Sequence, residues 1–216
     1  MCVEITAVLM CALSVLVLLA GEAWKVRGAV WLAKPAASVA FVAVAWLSGA
    51  ATTTYGHWIL LGLTLCVAGD LLLIPRGRPA VFRAGVFAFL LGHVAYGAAF
   101  LTRPLATSGL IWGGLGLAVA LAVVWRWLAP ALPAEMVRAV RAYLGVIGVM
   151  ATLACGVSAA GGPLGVAVGA LAFAASDVSV ARDRFVRHAF VNRAWGLPLY
   201  YAAQLLIATT PGAIGG

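Results

Sequence analysis

Apolar residues run in long, nearly unbroken stretches along this chain, and polar residues gather in short breaks between them. Eight stretches stand out, at approximately 3–20, 31–49, 56–74, 82–101, 108–128, 137–158, 163–181 and 196–210. Each approaches the roughly 20 residues that an α-helix needs to cross a bilayer, the last being shorter. In hydrocarbon the backbone must satisfy its own hydrogen bonds, so these stretches predict helices. A transmembrane barrel would show short segments of alternating polarity, and the sequence has none. The expected fold is therefore all-α: a polytopic bundle of about eight transmembrane helices, forming one domain over residues 1–216. The first stretch opens with Met1, Cys2, Val3 and Glu4 rather than with positive charge, so it reads as a span and not as a cleaved signal peptide.

Composition agrees: 65% of residues are hydrophobic and 9% charged, too few polar groups to clothe a soluble domain. The net charge of +8 would suggest nucleic acid in a soluble protein. Its placement says otherwise. Thirteen of the fourteen Lys and Arg residues lie in or beside the connections after spans 1, 3, 5 and 7, leaving Arg103 alone on the other side. The positive-inside rule then expects both termini to be extracytoplasmic. The basic connections read as topology signals and contacts with membrane lipids, not as a nucleic-acid surface. The expected location is integral and multi-pass, in a bacterial cytoplasmic (inner) membrane. Cys2, Cys11, Cys66 and Cys155 lie in or near apolar runs without metal-ligand spacing, so no metal and no cofactor is expected.

Polar groups inside a membrane are costly and point to function. Of six acidic residues, only Asp70 and Asp177 fall within apolar stretches. At about 1.5 Å of rise per residue, Asp70 lies roughly 9 Å below the basic connection at Arg76, and Asp177 roughly 7–8 Å below Arg182. Two carboxylates from distant spans thus share one depth. Lys34 opens span 2 at the same face and Tyr143 opens span 6 there. Tyr200 and Tyr201 lie about 10 Å in on span 8, and His93 and Gln204 roughly 15 Å in. His93 and Tyr96 share a helix face, as do Tyr200 and Gln204. These side chains are expected to line a cavity bounded by spans 2, 3, 7 and 8, with contributions from 4 and 6, open toward the cytoplasmic leaflet. One spacing recurs: His93 follows Asp70 by 23 residues and Tyr200 follows Asp177 by the same interval, which suggests parallel four-helix repeats.

Gly69-Asp70-Leu71-Leu72, then Phe82, Gly85, Phe89, Gly92-His93 and Tyr96, resemble the YhhN-like family of integral membrane proteins. So do Lys34-Pro35, Tyr143 with Met150, Ser176-Asp177 with Ala181-Arg182, and the run from Tyr200-Tyr201 through Gln204 to Ile207. Characterised members of that family are lysoplasmalogenases. The resemblance implies hydrolysis of the vinyl ether bond of a lysoplasmalogen (lysoplasmenylethanolamine or -choline) to a fatty aldehyde and a glycerophospho-alcohol. It also implies that Asp70 and Asp177 are the catalytic pair. The expected partner is a lysophospholipid substrate.

The chemistry suits the residues. Vinyl ether hydrolysis begins with protonation of the distal alkene carbon to give an oxocarbenium ion, which water then captures. This calls for a carboxylic acid that keeps its proton near neutral pH and for a nearby carboxylate. Lys34 and loop arginines would hold the phosphate. Tyr143, Tyr200, Tyr201, His93 and Gln204, with Tyr96 and Ser176 in support, would orient water and glycerol oxygens. The alternative is a proton-coupled transporter of small molecules or lipids using the same aspartates. Span 3 lacks proline and span 7 has none beyond Pro163 at its first position, against the broken helices common in transporters. Val67 replaces the first glycine of the Gly-x-Gly-Asp pattern of aspartyl intramembrane proteases.

Overall fold

The computed structural model describes residues 2–215, with side chains from residue 3 to residue 214; the side chain of Cys2 lies outside that range. The described residues form eight long helices. They are α1 (Cys2–Ala23), α2 (Arg27–Leu47), α3 (Thr54–Leu72), α4 (Pro79–Leu101), α5 (Thr107–Leu128), α6 (Val137–Ala159), α7 (Leu164–Ala181) and α8 (Phe190–Gly215). Short 3₁₀ turns lie in the α2–α3 and α5–α6 connections, and one π-helical turn, Arg182–Val186, follows α7.

Seven of the eight are long and apolar enough to cross a membrane. The exception, α8, is the longest, extending beyond the 196–210 stretch that hydropathy marks. Tyr200, Tyr201, Gln204, Thr209 and Thr210 dilute its apolar run, and Pro198 and Pro211 lie inside it. A proline removes one intrahelical hydrogen bond to the carbonyl four residues earlier. For Pro211 that carbonyl belongs to Ile207, and the Thr210 hydroxyl takes it at 2.6 Å. The chain is an integral, multi-pass membrane protein.

Consecutive helices pack as hairpins, α1–α2, α3–α4, α5–α6 and α7–α8. Close crossings depend on small residues. A Cβ at Gly69 on α3 would stand 2.7 Å from the Phe89 ring on α4, and one at Gly196 on α8 would overlap the Ser179 hydroxyl on α7. Helix α8 packs against α7, α2, α1 and α3, whereas α5 packs chiefly on α6. Accordingly α5 turns Ile111, Leu115, Val119 and Val123 outward, and α1 does the same with Leu9, Leu13 and Leu16. In water such faces would be a liability; in a bilayer they meet acyl chains of like polarity. Phe41, Leu63, Phe100, Met150, Phe173 and Ile207 are fully buried. Several polar side chains that a lipid-facing position could not tolerate are buried as well: Lys34, Ser38, Asp70, His93 and Gln204.

Candidate active site

A cavity of about 880 Å³ opens at the end of the bundle that carries the α1–α2, α3–α4 and α7–α8 connections. Both Asp70 and Asp177 line it, together with Lys34, Tyr143, Ser176 and Tyr200. All eight helices contribute, so the lining includes α1, through Leu18 and Glu22, and α5, through Leu121 and Val124, beyond the six expected from sequence.

Asp70 sits at the closed side of the cavity, its side chain 3% exposed. Oδ1 stands 3.2 Å from the Lys34 ammonium on α2. Oδ2 accepts hydrogen bonds from the Ser38 hydroxyl at 2.7 Å and from the Tyr200 hydroxyl at 2.8 Å. A buried carboxylate is tolerable only with such partners, and here a cation and two hydroxyls supply them. Lys34 is therefore engaged by Asp70. Tyr201 touches the cluster from behind, its hydroxyl 3.3 Å from Ser38 Oγ and 3.4 Å from the Lys34 carbonyl.

Asp177 is the more accessible acid, with 16% of its side chain exposed. Tyr143 on α6 donates to Oδ2 at 2.8 Å. His93 Nε2 lies 3.5 Å from the same oxygen, within ion-pair reach but too long for a good hydrogen bond. Nδ1 of His93 is 2.8 Å from the Phe89 carbonyl, which can only accept, so Nδ1 carries hydrogen. Nε2 is thus aimed at Asp177 with no hydrogen-bond partner among the described residues.

The two clusters share an aromatic wall. His93 stacks on Phe173 at 4.2 Å between centroids, and Phe173 packs against Tyr200 at 5.5 Å. Phe89 closes the same wall, 5.8 Å from Tyr200. Tyr96 and Gln204 pair with each other instead, hydroxyl to Oε1 at 2.6 Å, and they, like His93 and Tyr201, stand behind the cavity lining rather than in it. Ser176 lines it but turns its hydroxyl back onto the Phe173 carbonyl at 2.7 Å. Among the described residues no three His, Cys, Asp or Glu side chains come together as a metal site.

Sequence reasoning did not single out Ser38, Phe173 or the rim. At the rim Glu22 of α1 pairs with Arg76 and, at 3.4 Å, with Arg193. Asp183 accepts from Arg193 at 2.7 Å, from the Asn192 amide at 3.1 Å and from the Ala189 N–H at 3.1 Å. Arg182 donates to Oδ1 of the Asn192 side chain at 2.8 Å. The π-turn is fixed by its own side chains, and a helix-period reading carries no sign of that.

Two comparisons bear on this arrangement. The model of the YhhN family matches residues 29–210, which include both aspartates and every polar partner named above for them. The protein named lysoplasmalogenase TMEM86A of Bos taurus is 32% identical over 156 residues, covering 69% of this chain and 63% of its own length. The human (Homo sapiens) protein of the same name is 34% identical over 158 residues, with the same shares covered. The match thus spans a little under two thirds of these relatives. No solved structure matches the chain.

Proposed function

The chain belongs to the YhhN family, and on that footing we propose that it is a lysoplasmalogenase-like intramembrane hydrolase, with Asp177 as general acid and Asp70 as the stabilising carboxylate. The observation that carries this reading is the unequal pair of acids in one cavity. Asp177 is accessible, with a single hydroxyl donor and a histidine nitrogen beside it. Asp70 is closed off and held by an ammonium and two hydroxyls, partners that suit an anion. Similarity to two proteins named lysoplasmalogenase supports the substrate class.

In this mechanism Asp177 gives its proton to the distal alkene carbon of the vinyl ether. The positive charge that develops on the ether oxygen and its carbon is stabilised by the Asp70 carboxylate. Water attacks that carbon while the Asp177 carboxylate takes its proton, and the hemiacetal's own hydroxyl proton then passes to the departing glycerol oxygen. The hemiacetal collapses to a fatty aldehyde and a glycerophospho-alcohol, and Asp177 is left protonated again. The net consumption is one water. The single hydrocarbon chain lies along the apolar part of the cavity, against Leu121 and Val124 of α5, Leu144 and Ile147 of α6, and Phe89. Lys34 serves Asp70 in this reading rather than the phosphate.

The basic connections after α1, α3, α5 and α7 support an orientation with the cavity mouth in the cytoplasm and both termini outside, in the cytoplasmic membrane of a bacterium. A carboxy-terminal reporter active in the cytoplasm would contradict that orientation. The activity is tested by aldehyde release from purified protein given a lysoplasmalogen and its saturated ether analogue. Release from the vinyl ether alone, unchanged by chelators, is expected. No release from either, or loss on chelation with recovery on added zinc, contradicts the reading.

A further inference from the structure

Seven cationic side chains line the cavity against four carboxylates, Glu22, Asp70, Asp177 and Asp183. The carboxylates at the mouth are already occupied: Glu22 by Arg76 and Arg193, Asp183 by Arg193 and His188. Lys25, Arg27, Arg78 and Arg184 have no acidic partner among the described residues, yet all four face the cavity. Two of them are tied to one residue, Phe82, at the cavity wall. Arg184 belongs to the π-turn that Asp183 and Asn192 fix, and its guanidinium lies over the Phe82 ring, 4.3 Å from the centroid. Phe82 in turn donates its N–H to the Arg78 carbonyl at 3.0 Å, in the first turn of α4. Gly77, at φ 76°, makes the turn that separates Arg76, bound to Glu22, from Arg78.

We propose that Arg78 and Arg184 form a headgroup site that binds the phosphate of a single-chain lipid and does not read the amine. The proposal rests on the lysolipid reading above and deepens it. Guanidinium groups bind phosphate through charge-assisted, geometrically matched hydrogen bonds. An ammonium headgroup needs a free carboxylate or an aromatic cage. Both mouth carboxylates are spent on arginine and histidine, and the ring at the proposed site, Phe82, is already covered by Arg184. Selectivity therefore follows the negative charge of the headgroup, and an added amine contributes nothing.

The test measures binding by tryptophan fluorescence, with the full chain in detergent. Three ligands without a vinyl ether are compared: 1-O-alkylglycerol, its 3-phosphate, and the 3-phosphoethanolamine form. The phosphate form should bind about 100-fold more tightly than alkylglycerol, on the order of tenfold per arginine. The phosphoethanolamine form should bind no more tightly than the phosphate. Arg78→Ala/Arg184→Ala should remove the phosphate preference and leave alkylglycerol binding unchanged. Arg78→Lys/Arg184→Lys, which keeps the charge, should recover part of it and serves if the alanine pair does not fold. Arg126→Ala/Arg138→Ala, which removes two exposed charges outside the cavity, should change nothing. Because the ligands cannot be hydrolysed this way, binding and aldehyde release can fail separately. Equal binding of alkylglycerol and its phosphate, an undiminished phosphate preference in both arginine-pair variants, or clearly tighter binding of the phosphoethanolamine form would overturn the proposal.

Discussion

The hydroxyl of Tyr200, on α8, donates to the Asp70 carboxylate, on α3, at 2.8 Å. Its counterpart in the other half is His93 on α4, whose Nε2 stands 3.5 Å from Asp177 on α7. Each acid is attended by the residue that follows the opposite acid by 23 positions. The second partners also correspond, Lys34 on α2 for Asp70 and Tyr143 on α6 for Asp177. The two halves thus exchange side chains at one site, and chemically different partners on corresponding helices make the two acids unequal.

Tyr200→Phe should separate positioning from packing. The ring meets Phe41, Phe89, Phe173 and Tyr201, contacts that Phe retains. Only the donor to Asp70 is lost, costing about 1 kcal/mol of stability. Turnover should fall about 10- to 100-fold with KM little changed, as expected when a charged group loses its orientation. Steady-state kinetics beside a thermal melt checks this.

Much of that site was legible in the sequence, for a definite reason. Carboxylates within apolar stretches are rare enough that Asp70 and Asp177 identify themselves, and helical rise alone gives them matched depth. Lys34, Tyr143 and Tyr200 were legible because they lie at the same level. Rotation about each helix was not. Ser176 precedes Asp177 by one residue, about 100° around the helix, and its hydroxyl bonds its own helix. Tyr96 and Gln204 share faces with His93 and Tyr200, yet pair with each other behind the wall, the Gln204 amide nitrogen having no partner among the described residues. Ser38 is one small polar residue among many, and its own helix offers it the Lys34 carbonyl at 2.9 Å, so nothing local marks it as a partner of Asp70. Glu22 and Asp183 lie outside the apolar stretches: the Glu22 ion pair to Arg193 joins segments far apart in sequence, and that of Asp183 to Arg193 bridges the π-turn and the start of α8.

His93→Phe should keep the stack on Phe173 and remove the nitrogen aimed at Asp177. The expected result is a folded protein with turnover lowered at least tenfold, the size of effect seen when a group that orients a catalytic acid is lost. Wild-type turnover in this variant would reduce His93 to a packing residue.

The α7–α8 crossing two residues beyond Asp177, at Ser179, depends on Gly196. Gly196→Ala should lower the melting temperature, since a Cβ there overlaps Ser179 and overpacking costs about 1–3 kcal/mol. Gly145→Ala on α6, where a Cβ meets nothing within 4 Å, should be neutral or slightly stabilising. Thermal unfolding of the two variants in one detergent distinguishes packing from a general intolerance of change.

Asp177→Asn and Asp70→Asn bear most directly on the central claim. Asn keeps the size of Asp and still bonds a neighbouring helix, but it neither donates a proton to carbon nor stabilises an oxocarbenium ion as an anion. Interhelical hydrogen bonds are worth only about 0.6–2 kcal/mol, so purely structural acids would leave most activity in place. As an acid and carboxylate pair, each should lose about 100-fold or more in turnover, with the double variant little worse than either single. The measurement is the single-turnover rate of aldehyde release from a lysoplasmalogen by each variant, at matched melting temperature. Loss of at least that size in both single variants is the predicted result; near-normal release by either one would contradict the account.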